Sequence, residues 1–314
     1  MLRFVAVRVG TLLLLLWVVS LAVFALVLLI PGDPTTTLLG DNATPEQVAA
    51  LRTSLGLDDP VIVRYGRWLG GALQGDLGTS MLTSYPVTQA ITDRIGITMS
   101  LVVSSLVVSI VAGLVIGVLA AVRQGGWFDR IALLGSSVGI AMPNFWLGLV
   151  LVTFLGADLG LFPTTGYVEL GTDPVQWAHH LALPVLTLAA GGAAEVARQT
   201  RASVVDTLQL DFVRTLQAKG LSPLAVVGKH ALRTALIPVV TVAGLQVSRL
   251  FGLSVLVEAV FALPGIGSLL VSSVFDRDIP MVQGTVLLAT VVVVTVNLLV
   301  DLSYGWLNPK AALT

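Results

Sequence analysis

Residues 98–122, TMSLVVSSLVVSIVAGLVIGVLAAV, run for twenty-five positions without a charged side chain. A helix of about 20 apolar residues crosses the roughly 30 Å of hydrocarbon in a bilayer, so this stretch reads as a transmembrane helix. The whole chain has the same character. Of its 314 residues 55% are hydrophobic and 11% charged, and mean hydropathy is +0.94, where a soluble domain carries about 25% charged residues. A net charge of −1 argues against a nucleic-acid partner, which needs a basic surface to neutralise phosphates. With no cysteine there is no disulfide framework, thiolate metal site or thiol nucleophile.

Five further apolar runs flank the first, at 9–30, 131–156, 181–200, 235–262 and 281–303. The run at 181–200 is the weakest, interrupted by Gly191, Gly192 and Glu195. The opening run follows Arg3 and Arg8 like a signal peptide. It is too long for one, and Pro31-Gly32-Asp33-Pro34 follows it without a small-x-small cleavage site, so it reads as a retained span. The expected fold is therefore an all-α polytopic membrane protein with six transmembrane helices. Basic residues orient it: Arg3, Arg8, Arg123, Arg130, Arg198, Arg201, Arg214, Lys219, Lys229, Arg233 and Lys310 fall on one side. The other side carries Arg52, Arg64, Arg67, Arg94 and Arg277, four of them in one long loop. The positive-inside rule then places both termini in the cytoplasm. The long loop after the first span holds turn signals and helical patches, with Thr44-Pro45 and Gln47 marking a helix start, and reads as a small outer cap.

Within the spans, Gly113-x-x-x-Gly117 and the series Ala189 to Ala194 let helix backbones approach. Met142-Pro143 breaks the third span midway, either as a simple kink or as part of a path that opens and closes, because the missing N–H frees a carbonyl. Ionisable residues at membrane depth each need a reason. Glu195 is expected to pair with Arg198, three residues on. Arg249 and Glu258, nine residues apart, are too distant to pair with each other; both, with Met142 and Pro143, are candidates for a pathway or inter-helix role, Arg249 near mid-span first among them. Asp301 is expected at headgroup level.

The one long polar, basic loop is DFVRTLQAKGLSPLAVVGKHALRTALIP, Asp211 to Pro238. Asp211 is placed to cap a short helix, Lys219 to complement its last turn, and Gly220 to stop it. Ser222-Pro223 restarts a helix. Phe212, Val213 and Leu216 form one apolar face with Arg214 and Lys219 outside it. Such a segment is a docking surface for a cytoplasmic partner, or an interfacial helix held by anionic lipids.

This loop resembles the EAA loop of ATP-binding-cassette importer permeases of the dipeptide/oligopeptide/nickel family. The family's run, D-[YF]-V-R-T-A-x-A-K-G-L-S and then H-A-L-R-N-A-L-I-P-V-V-T, is met at Asp211–Ser222 and His230–Thr241, with Leu216 for Ala and Thr234 for Asn. The resemblance extends to Ile30-Pro31-Gly32-Asp33-Pro34, Gly75-Asp76-Leu77-Gly78-Thr79-Ser80, Met142-Pro143, Leu263-Pro264-Gly265-Ile266-Gly267 and Asn308-Pro309. Glu195 departs from it, standing where an apolar residue is expected.

The resemblance implies a type I importer permease fold: an N-terminal helix at 1–30, an outer cap at 31–93, a five-helix core at 94–305 holding the loop 211–238, and a tail at 306–314. It also implies a bacterial inner membrane, a second permease subunit, two ATPase subunits using ATP and Mg, and an outer solute-binding protein. Contact with the ATPase would fall on Asp211, Phe212, Arg214, Ala218, Lys219 and Gly220. No lysine sits in a phosphate-cradling G-x-x-x-x-G-K-[ST], so the chain itself is expected to bind no nucleotide and to be no enzyme. His179-His180 and His230 are too scattered for a metal centre. A carrier driven by an ion gradient is the alternative, and would call for inverted repeats with buried acids. An intramembrane enzyme would need a nucleophile, acid pair or metal set that is not seen.

Overall fold

The computed structural model describes residues 2–28, 35, 39, 44–54, 56–222 and 225–307. Ile30–Pro34, the Pro223 of the helix restart, Asn308-Pro309 and the rest of the tail lie outside these, as do the side chains of Arg3, Arg8 and Asp301. The described residues are helical apart from turns, loops and one isolated bridge, Thr79 to Pro86. Two compact units divide the chain: 1–96 with 265–295, and 97–264 with 296–314.

The first unit opens with α1 (Leu2–Leu28), α2 (Pro45–Ser54) and α3 (Val61–Leu73). A reciprocal capping box starts α2: Thr44 N–H donates to Gln47 Oε1 at 3.0 Å and Gln47 N–H to Thr44 Oγ1 at 3.3 Å. Phe24 of α1 meets Tyr65 and Trp68 of α3 at ring separations of 5.4 and 5.9 Å, and Ser20 shares a 2.8 Å hydrogen bond with the Tyr65 hydroxyl. The unit also takes the start of α4 (Val87–Val122), then α10 (Ile266–Phe275) and most of α11 (Ile279–Leu307). Val87, Ala90, Ile91, Ile266, Leu269 and Met281 form its core. Asp278 accepts from the Ser80 hydroxyl and from Met81 N–H, anchoring the Gly75–Ser80 turn to the foot of α11.

The second unit holds the rest of α4, the pair α5 (Trp127–Ala141) and α6 (Asn144–Leu151), α7 (Pro174–Leu208), α8 (Asp211–Ala218) and α9 (Leu232–Val260). Helix α6 continues as a π-helical stretch, Val152–Asp158, and a π-helical turn, Val226–Ala231, leads into α9. Helices α4, α7, α9 from Pro238 and α11 to Leu298 are each long and apolar enough to cross a membrane. The pair α5 and α6 passes the same test as a single broken span, bent by 104°. Helix α1 is apolar over Gly10–Ala25.

As the sequence leads one to expect, α7 is the least apolar of the four long spans, yet it runs for 35 residues, well beyond 181–200. Its start is fixed by Asp173, whose carboxylate accepts from the N–H groups of Val175 and Gln176 at 2.9 and 3.0 Å, with Pro174 at the first helical position. The small residues that dilute its hydropathy are what its neighbours pack on. A Cβ added at Gly113 of α4 would lie 2.6 Å from Val196, and one at Gly117 would lie 2.6 Å from Ala197 O. On other sides Gly139 of α5 faces Ala194, and Gly148 of α6 faces Thr187. Near its end, Val204 and Val205 pack with Ala121 and Ala235.

A buried ion pair joins α5 to α7. Arg201 Nε and Nη2 donate to the two Asp129 carboxylate oxygens at 2.9 and 2.8 Å, and Asp129 also accepts from Gly125 N–H at 2.9 Å. Asp129 is 3% exposed and Arg201 23%. Fork-to-fork geometry of this kind suits arginine and not lysine.

Two stability outcomes are expected, both read from thermal midpoints of the purified chain in detergent. Gly117→Ala should cost about 1–3 kcal/mol by overpacking α4 on α7, whereas Gly96→Ala, which meets nothing within 4 Å, should gain up to about 1 kcal/mol. Asp129→Ala, which strands Arg201, should cost about 3–5 kcal/mol.

Candidate functional site

The loop that begins at Asp211 folds as a short helix on a single buried anchor. Val213 has no exposed surface, Leu216 is half-buried, and α8 packs against the Val226–Ala231 turn, where Val226 and Ala231 are also buried. Asp211, Phe212, Arg214, Ala218, Lys219 and Gly220, the residues nominated for partner contact, are all exposed. A fully buried Val213 and a half-buried Leu216 thus hold the helix down while every nominated residue stands free.

Two details differ from the sequence expectation. Asp211 is not a cap: it occupies the first helical turn, its carboxylate 97% exposed and 3.6 Å from the Arg214 guanidinium. The backbone carbonyl of Leu210 receives the first turn's N–H instead, from Val213 at 3.0 Å. Phe212 does not share the buried face. One residue round the helix from Val213, it is turned by about 100° and is 39% exposed.

The stop follows the sequence. Gly220 has φ +79°, and Leu221 N–H reaches back to Leu216 O at 3.3 Å, closing a Schellman motif. A Cβ at Gly220 would meet nothing within 4 Å, so its backbone angle and not its size calls for glycine. Lys229 and His230 lie in the π-helical turn that supports α8.

Met142 and Pro143 are extended, with ψ 126° and 128°, so the break is a sharp corner. Glu258 is fully buried and accepts from Thr98 Oγ1 of α4 at 2.6 Å. Arg249 donates from Nη1 to Glu195 Oε2 at 2.6 Å, joining α9 to α7, and Gln246 Nε2 donates to the same oxygen at 2.8 Å. Glu195 therefore does not pair with Arg198. Three residues apart are about 60° apart around a helix, and Arg198 lines a small pocket with Gly117, Ala120, Leu133 and Ser136 while Glu195 turns toward α9. His179 and His180 donate ring N–H groups to Leu161 O and Gln176 O, each at 2.9 Å.

Sequence reasoning missed two of these pairings. Asp129 and Arg201 lie 72 residues apart, and Glu195 and Arg249 54 apart. The only signal for either was a charge inside or beside an apolar run.

Known proteins resemble this chain in sequence and in fold. The family model described as binding-protein-dependent transport system inner membrane component matches residues 113–313, and the model of that component's N-terminal region matches residues 1–102. The chain is 43% identical over 309 residues to the glutathione transport system permease protein GsiC of Salmonella paratyphi A, covering 98% of both chains. It is 44% identical over 294 residues to the GsiC of Pectobacterium atrosepticum, covering 94% of both. A Brucella abortus protein named for a peptide transport system permease is 39% identical over 303 residues, covering 96% of both. A chain of the MetNI methionine ABC transporter, solved in inward-facing conformations, has the same fold at TM-score 0.56 and 20% identity, covering 69% of this chain and 95% of that one. An all-helical membrane chain matched over nearly its whole length belongs to the family of inner-membrane permease components of binding-protein-dependent ABC importers.

Proposed function

We propose that this permease imports di- or oligopeptides, or a glutathione-like solute, handed to it by an extracytoplasmic binding protein. The reading rests on relatives named for peptide and glutathione transport across the whole chain. In this reading α1 is a sixth span beside the five apolar candidates, residues 31–93 form an outer cap, and both termini face the cytoplasm. The core runs from 94 to 305 and the tail from 306. The working unit comprises this chain, a second related permease and two ATPase subunits that consume ATP and Mg. Translocation proceeds by alternating access.

The observation that carries the coupling role is the freedom of α8. Its nominated residues are exposed, and it is anchored from beneath by Val213. We assign contact with an ATPase subunit to Asp211, Phe212, Arg214, Ala218, Lys219 and Gly220. Aromatic residues and arginine are both enriched in the cores of protein interfaces. Energy released on nucleotide binding reaches the spans through α7, whose last residues precede α8 directly.

Reconstitution of the complete transporter in proteoliposomes tests this. Arg214→Glu should lower ATPase activity stimulated by the loaded binding protein about tenfold, which corresponds to about 1.4 kcal/mol of lost contact. Since Arg214 is 75% exposed, the thermal midpoint should not move. Gly220→Pro should uncouple more severely, because proline cannot adopt the φ of +79° that ends α8. Stimulation equal to wild type in both variants would sink the docking assignment.

A further inference from the structure

The ion pair between α7 and α9 stands at an unusual place. Arg249 is the middle residue of the apolar stretch Pro238–Val260, eleven residues from either end (249 − 238 and 260 − 249). Its side chain is 61% exposed and that of Glu195 31%. An arginine facing hydrocarbon at mid-helix is costly, so the open side of this pair faces water or another polar group rather than lipid.

Its hydrogen-bonding capacity is also unspent. Glu195 Oε2 accepts from both Arg249 Nη1 and Gln246 Nε2. Among the described residues no partner is seen for Glu195 Oε1 or for Arg249 Nε and Nη2. Gln246, 2% exposed, has a buried Oε1 without a partner, which lies toward Gly192: a Cβ there would be 3.3 Å from it. A buried amide oxygen left unpaired is costly unless something fills the place.

A second polar feature adjoins the pair. One turn before Glu195 on the same face of α7, a Cβ at Gly191 would lie 3.7 Å from both Asn144 Oδ1 and Gly139 O. Gly139 O is the carbonyl that residue 143 would serve in a continuous helix, and Pro143 has no N–H to serve it. The break falls midway along the bent pair 127–158, as Arg249 does along its own span.

We propose that Glu195, Arg249 and Gln246, with Asn144 and Gly139 O beside them, form a binding station for zwitterionic peptides within the membrane. The guanidinium takes the solute carboxylate, Glu195 takes the ammonium, and the amide and carbonyl groups take peptide bonds. In the empty protein the two charges neutralise each other, and the solute's termini displace that bond. The station rests on the peptide reading given above.

The test is uptake of radiolabelled trialanine and glutathione by the full transporter in proteoliposomes. Glu195→Gln and Arg249→Gln should each lower uptake about tenfold, and Arg249→Lys, which keeps the charge, should retain most of it. The exchange Glu195→Arg with Arg249→Glu should restore the thermal midpoint lost in the single variants but not the uptake, because each solute end then faces a like charge. Uptake restored by the exchange, or unchanged in both single variants, would overturn the station and leave the peptide reading standing. Uptake of neither solute by the wild type would overturn both.

Discussion

Hydrocarbon neither hydrates a charge nor drives two helices together, so every close approach in the second unit has to be made by shape. Helix α7 supplies that shape. Its run Ala189 to Ala194 and the glycines facing it on α4, α5 and α6 bring backbones near enough that single methyl groups matter. Ser109 Oγ of α4 donates to Ala189 O at 3.0 Å, and Ser203 Oγ of α7 to Ala235 O of α9 at 2.8 Å, so backbone carbonyls also serve between helices. Remove the small residues and the inter-helix hydrogen bonds go with them.

The charges follow the same rule. Asp129 meets Arg201 in a two-pronged bond, Glu195 meets Arg249, and buried Glu258 meets the Thr98 hydroxyl. Each of these contacts joins different helices, which makes it a statement about helix rotation as well as about charge. A chain with 18 acidic and 17 basic residues places several of them inside apolar helices only because partners arrive from elsewhere in the sequence.

What could be read beforehand follows from this. The apolar runs after the first, the Met142-Pro143 corner, the Thr44 helix start and the Gly220 stop depend on neighbouring residues alone, and helices stand where the sequence places them. The extent of α7 did not show, because Glu195, Arg198 and Arg201 interrupt its hydropathy although all three find places in the packed unit. The partner of Glu195 did not show either: spacing of three suggested Arg198, and only the packing of α9 on α7 reveals Arg249. Phe212 was misassigned for a related reason, since an eight-residue helix with one deep anchor leaves few clues to which side faces down. The exposed set at 211–220 was nominated through family resemblance, whereas the midspan pair was legible only as an anomaly.

Helix α7 has a mechanical consequence. From the Asp173 cap to Gln209 it is one continuous helix of 35 residues, about 52 Å along its axis, with Pro184 its one interior proline. Two residues separate its end from α8. In the coupling role proposed above, a push at that end would enter the same helix whose middle is packed by the layer of small side chains.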